Sequence, residues 1–141
     1  MAQSTARNAE RDAAQAEEGA ARNLTLLTDL YQLTMMSGYL KNGKQNDIAV
    51  FDLFFRRNST ITYSVAAGLE QAIAYIRSIR FTEEGIAYLR SLGLFEEPFL
   101  DYLRTFRFTG DVFAVPEGTV VFPEEPILTV RAPLLEAQFV E

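Results

Sequence analysis

Hydrophobic positions first acquire a period at Leu24. Residues 1–23 (MAQSTARNAERDAAQAEEGAARN) contain no large apolar residue after Met1, so they cannot offset the entropy lost on ordering. They are expected to form a flexible N-terminal tail, with residues 24–141 as one domain. Thr28 is placed to N-cap a helix, with Asp29 at its positive end. Leu30, Leu33, Ser37 and Leu40 form one stripe of that helix, and Tyr31, Met35 and Tyr39 the adjacent one. Gly43 is positioned to close the helix in a left-handed conformation. Gly38 costs about 1 kcal/mol relative to Ala inside a helix, which predicts a close packing contact at that point.

Residues 47–57 (DIAVFDLFFRR) alternate as a strand, with Ala49, Phe51, Leu53 and Phe55 on one face and Ile48, Val50, Asp52, Phe54 and Arg56 on the other. Both faces are largely apolar, which predicts a central strand covered on both sides. A turn is expected at Asn58–Thr60 and a second strand over Ile61–Ala66. Gly68 opens a helix carrying Leu69, Ile73, Ile76 and Arg80. Thr82 caps a third helix with core residues Ile86, Leu89 and Leu92, stopped by Gly93. Pro98 begins a fourth, with Phe99, Tyr102, Leu103 and Phe106 inward.

The period then switches to two. Short strands are predicted at 111–115, 119–122 and 127–131, separated by Pro116-Glu117-Gly118 and Pro123-Glu124-Glu125-Pro126. Leu134, Leu135, Gln138 and Phe139 begin another helical period that breaks off at Glu141, about two turns in. This predicts either an interrupted polypeptide or a short helix docked on the sheet. Helices and strands are partly segregated, without βαβ alternation, so the fold class is α+β.

Composition narrows the chemistry. The sequence has no Cys and no His, which removes disulfides, thiolate nucleophiles, Cys- or His-based zinc sites and His-dependent catalysis. Thirteen Lys and Arg against nineteen Asp and Glu leave a net charge of −6, which argues against nucleic-acid and anionic-membrane partners. No apolar stretch reaches membrane-spanning length and residues 1–23 lack a signal-peptide core, so a cytoplasmic location is expected.

Three places can carry binding chemistry. At Thr28-Asp29-Leu30-Tyr31, a helix start offers free N–H groups and Tyr31 can lie against a planar ligand; the alternative is a cap and a core tyrosine. Arg56 and Arg57 at a strand end can clamp a phosphate or carboxylate, or pair with surface glutamates. Alternation sends them to opposite faces, so one of them meets a given ligand. Ala66-Ala67-Gly68 lacks a complete phosphate-loop pattern and reads as a close-packing turn. Asp52 is expected to be half-buried and to need a partner, from Arg56 or a neighbouring strand.

The segments LLTDLYQLTMMSGYL (26–40), AVFDLFFRRN (49–58), YSVAAGLEQAIAYI (63–76) and VPEGTVVFPEEPILTVRAPLLEAQFVE (115–141) are identifiable beyond their periods. Together, and in this order, they resemble the N-terminal region of nicotinate phosphoribosyltransferases. The resemblance implies the N-terminal domain of a type II phosphoribosyltransferase, with a mixed or antiparallel sheet and packed helices. It also implies an α/β barrel that is absent from this chain and holds most catalytic groups, including a phosphorylated histidine. The implied reaction converts nicotinate and phosphoribosyl pyrophosphate to nicotinate mononucleotide and pyrophosphate, a salvage step towards NAD, with Mg²⁺ and with ATP hydrolysis.

By the same resemblance, Tyr31 stacks on the pyridine ring and Asp29 lies in the same site, shared across a homodimer. Arg56 contacts donor phosphates, and Arg57 is a second candidate. No catalytic residue and no metal ligand is expected in this chain, which alone would be inactive. The segment Asn58-Ser59-Thr60-Ile61-Thr62 departs from the proline and glycines usual after the arginines. The competing expectations are a non-catalytic dimerisation module or truncated gene product, and an unrelated α+β domain owning a complete pocket.

Overall fold

The computed structural model describes residues 23–141; the expected tail, apart from Asn23, lies outside the described residues. Asn23 itself donates from Nδ2 to the Arg80 carbonyl at 2.9 Å.

The elements run α1 (Leu30–Lys41), β1 (Ile48–Leu53), β2 (Ser64–Val65), α2 (Leu69–Ser78), α3 (Glu83–Ser91), α4 (Glu97–Thr105), β3 (Asp111–Ala114), β4 (Val120–Val121), β5 (Leu128–Pro133) and α5 (Leu134–Val140). Strands form a three-stranded sheet in the order β1-β5-β3 and a separate β2-β4 ribbon. All pairings are antiparallel, so the fold is α+β.

Several helix ends form as their residues dictate. The Thr82 hydroxyl accepts from the Gly85 N–H at 3.1 Å, capping α3. Gly43 and Gly93 take positive φ where α1 and α3 stop. Pro98 lies in the first turn of α4, where its missing N–H leaves no helical bond unmade. The cap of α1 is Asp29 rather than Thr28, and it makes no side-chain cap bond. The core stripe of α1 is Leu33 and Met36, because Leu30 is turned outward to half exposure. Gly38 has no heavy atom within 4 Å of a Cβ placed on it, contrary to the expected close contact.

The central strand is β5, not β1. Val50 pairs with Arg131 and Phe51 with Val130, while Asp111 and Val112 take the same two residues from the other side. Both edges of β5 are thereby used, and β1 is an edge strand. Ala49, Phe51 and Val112 pack on Val130 and Ala132, whereas Ile48, Val50 and Phe113 stay 56–59% exposed on the outer face. The expected strand over Ile61–Ala66 contracts to two residues. Asn58 explains its late start, because Oδ1 accepts from the Thr60 and Ile61 N–H groups at 2.8 and 2.6 Å and keeps the chain in a turn.

The C-terminal period becomes a helix docked on the sheet. Leu135 and Phe139 of α5 join the main core with Leu33, Met36, Leu103 and Phe106, while Ala137 faces Val130 and Ala132. Phe139 lies 5.2 Å from both Phe81 and Phe106, centroid to centroid. Glu136, also buried, accepts from the Thr109 N–H at 2.5 Å and from its hydroxyl at 2.9 Å. Thus α5 joins helical core and sheet, and it brings Val140 and Glu141 to the clefts.

Candidate functional site

Two adjoining clefts occupy one side of the domain. The first, about 580 Å³, lies beside the start of α1 and is lined by Thr28, Asp29, Tyr31 and Gln32 together with α2 and the end of α5. The second, about 450 Å³, lies under the end of β1 and is lined by Phe51, Leu53, Phe54 and Arg56. Ala72, Tyr75, Val140 and Glu141 line both, so α2 and α5 form a common wall. Burial raises the Tyr75 phenol above its ordinary range, because the phenolate would lose hydration in that wall.

Asp29 and Tyr31 therefore face one cleft and Arg56 faces its neighbour. Arg57 lines neither. Strand pairing ends at Leu53, before the arginines, so strict alternation does not govern them. Both are exposed and, among the described residues, form no ion pair. Asp52 is not half-buried. It is exposed, borders the second cleft and accepts from the Thr129 hydroxyl at 2.6 Å, so the neighbouring strand rather than Arg56 supplies its partner.

Tyr31 is 46% exposed, and its oxygen accepts from Gln32 Nε2 at 3.0 Å. Gln32 and Gln138 are buried, and Gln138 Nε2 donates both to Gln32 Oε1 and to Glu141 Oε2, the latter at 2.7 Å. No period or motif in the sequence marks these two glutamines as partners of the tyrosine.

Ala66-Ala67-Gly68 forms a turn, but not the expected close packing: Ala67 and Gly68 are exposed, and a Cβ on Gly68 would meet nothing nearer than Gln71 Oε1 at 4.0 Å. Gly68 has φ +94° and caps α2. The Glu117 carboxylate accepts from the Gly68 and Leu69 N–H groups at 2.9 and 2.7 Å, so a carboxylate already fills the place an anion would take. The Ala66 carbonyl accepts from the Gly118 N–H at 2.8 Å, and the Ala66 N–H donates to the Thr119 carbonyl at 2.9 Å, joining the turn to the PEGT segment. Among the described residues no three Asp or Glu side chains converge on a metal position.

Fold and motifs together define a class: the α+β N-terminal domain of a phosphoribosyltransferase. The family model described as the nicotinate phosphoribosyltransferase (NAPRTase) N-terminal domain matches residues 26–141. The chain belongs to the nicotinate phosphoribosyltransferase family. It is 46% identical over 117 residues to nicotinate phosphoribosyltransferase pncB2 of Mycobacterium tuberculosis, covering 82% of this chain and 25% of that protein. It is 44% identical over 120 residues to the nicotinate phosphoribosyltransferase of Bacillus subtilis, covering 84% and 24%. The crystal structure of human nicotinic acid phosphoribosyltransferase superposes with a TM-score of 0.72 at 37% identity, covering 80% of this chain and 23% of that one. The chain thus spans about a quarter of the length of the relatives it matches.

Proposed function

We propose that residues 24–141 act as the substrate-flanking N-terminal domain of a nicotinate phosphoribosyltransferase. Nicotinate lies against Tyr31, and Arg56 meets the charged phosphoribosyl donor. The observation carrying this reading is the pair of adjoining clefts, Asp29 and Tyr31 on one and Arg56 on the other, with α2 and α5 between them. An aromatic face suits a planar base, and a guanidinium suits a phosphate. In the reaction the pyridine nitrogen forms a bond to the anomeric ribose carbon as the bond from that carbon to pyrophosphate breaks. Positive charge develops on the ribose and negative charge on the leaving group, so positioning and charge neutralisation carry much of the rate. Arg56, with Arg57 beside it in sequence, serves the leaving group, and Tyr31 orients the base.

Among the described residues no group of three or more Asp or Glu side chains is placed to hold a metal ion by itself. In this reading Mg²⁺ and ATP serve the whole enzyme through groups outside residues 23–141, and no step in this domain runs through them. The site is shared in a homodimer. Exposed Leu27, Leu30 and Tyr31 beside the first cleft support this, as surface that further protein would cover. No helix among the described residues is long and apolar enough to cross a membrane, which fits the proposed cytoplasmic location.

Calorimetry of the 141-residue chain with nicotinate tests the shared site. The expected result is weak binding and no turnover of nicotinate with phosphoribosyl pyrophosphate. Tight binding abolished by Tyr31→Ala, or product formation by this chain alone, would overturn it in favour of a self-contained pocket.

A further inference from the structure

Beneath Tyr31 lies a buried polar cluster that the proposed chemistry does not use. Gln32 is 4% exposed and Gln138 1%, and Glu141 stands beside both. Two amides taken out of water need their polar atoms paired. The four amide hydrogens are all placed. Gln138 Nε2 donates to Gln32 Oε1 and to Glu141 Oε2, and Gln32 Nε2 donates to Glu141 Oε2 at 3.3 Å and to the Tyr31 oxygen at 3.0 Å.

The orientation of this cluster follows from chemistry. An ionised carboxylate only accepts, so both Nε2 atoms must face Glu141. That leaves Gln32 Oε1 to accept from Gln138, and it sends the remaining Gln32 N–H to Tyr31. The phenol oxygen is therefore an acceptor within the domain. Among the described residues nothing accepts the phenol hydrogen, and Tyr31 lines the 580 Å³ cleft.

The geometry points to Gln138 and Gln32, oriented by Glu141, as positioning residues that hold Tyr31 with its O–H directed at the cleft ligand as a hydrogen-bond donor. Glu141 fixes Gln138, Gln138 fixes Gln32, and Gln32 fixes the phenol. The matching ligand is a planar base bearing an acceptor substituent, held by ring contact and by this O–H together. The inference rests on the reading of Tyr31 as the base-facing residue.

A double-mutant cycle on the full-length protein, with nicotinate and phosphoribosyl pyrophosphate varied in turn, tests it. Removing one net hydrogen bond corresponds to a roughly three- to tenfold effect, so Gln138→Leu is expected to raise the nicotinate KM by about that factor. The donor KM stays unchanged. In a Tyr31→Phe background the same substitution adds nothing, because the hydroxyl through which it acts is gone. An equal effect in both backgrounds, or a parallel rise in both KM values, overturns the relay. If Gln138→Leu does not fold, NMR of the 141-residue chain decides. Tyr31→Phe must shift the Gln32 side-chain amide resonances and speed their exchange, and unchanged Gln32 resonances overturn the proposal. Failure of the underlying reading looks different: Tyr31→Ala leaves the nicotinate KM unaltered while the Gln32 resonances still respond to Tyr31→Phe.

Discussion

Asp29 and Tyr31 line one cleft and Arg56 its neighbour; in sequence the first two stand out by their short ordered motif, and Arg56 by two adjacent cations in a chain of net charge −6. Glu117 was not legible in the same way. In sequence it is an acid in a Pro-Glu-Gly turn, and nothing local says that its carboxylate reaches Gly68 and Leu69, forty-nine and forty-eight positions back. Its role exists only once the β2-β4 ribbon has formed. Replacing it exposes two α2 N–H groups, so Glu117→Ala should lower stability by about 1 kcal/mol, as for loss of a helix cap. Glu117→Gln, which keeps one acceptor, should lose less. Thermal unfolding of the two variants checks the order, and equal melting temperatures for both variants and the parent would contradict the capping role.

Among the elements, helices were read better than strands. Thr82, Gly93 and Pro98 act within one turn of themselves, so a local reading suffices for α3 and α4. Strand position is a property of the whole sheet. An apolar alternation on both faces of 47–57 is equally compatible with a central strand and with an edge strand whose outer face is exposed. Only the pairing of β5 with both neighbours decides between them. The approach to β3 carries a constraint that no period reveals. A Cβ on Gly110 would stand 2.3 Å from Ala132 Cβ and 2.7 Å from the Arg131 carbonyl oxygen, so only glycine lets the chain pass β5. Gly110→Ala must displace backbone and should destabilise by about 1–3 kcal/mol in denaturant unfolding. A neutral result would contradict this close approach.

At the scale of the whole molecule, α5 holds the domain together. It carries Leu135 and Phe139 into the helical core and Ala137 onto the sheet, and its end closes the wall between the clefts. Two half-buried tyrosines, one in that wall and one against the helical core, give the stability a pH signature. Burial raises the phenols of Tyr75 and Tyr102, and the nearby Glu136 carboxylate adds to the effect at Tyr102. A group with a raised folded pKa contributes its full stability below the unfolded value. That stability is lost as pH climbs from the unfolded value through the folded one. Stability should therefore fall on alkaline titration beginning near pH ~10, with a late fraction in the phenolate absorbance. Absence of that late fraction would contradict the packing of Tyr75 and Tyr102.

The central claim is that this domain presents one residue to the base and another to the donor. Steady-state kinetics of Tyr31→Ala and Arg56→Ala in the full-length protein test it most directly. The account predicts a split: Tyr31→Ala raises the KM for nicotinate and spares that for phosphoribosyl pyrophosphate, while Arg56→Ala does the reverse. Unchanged values in both variants would contradict it.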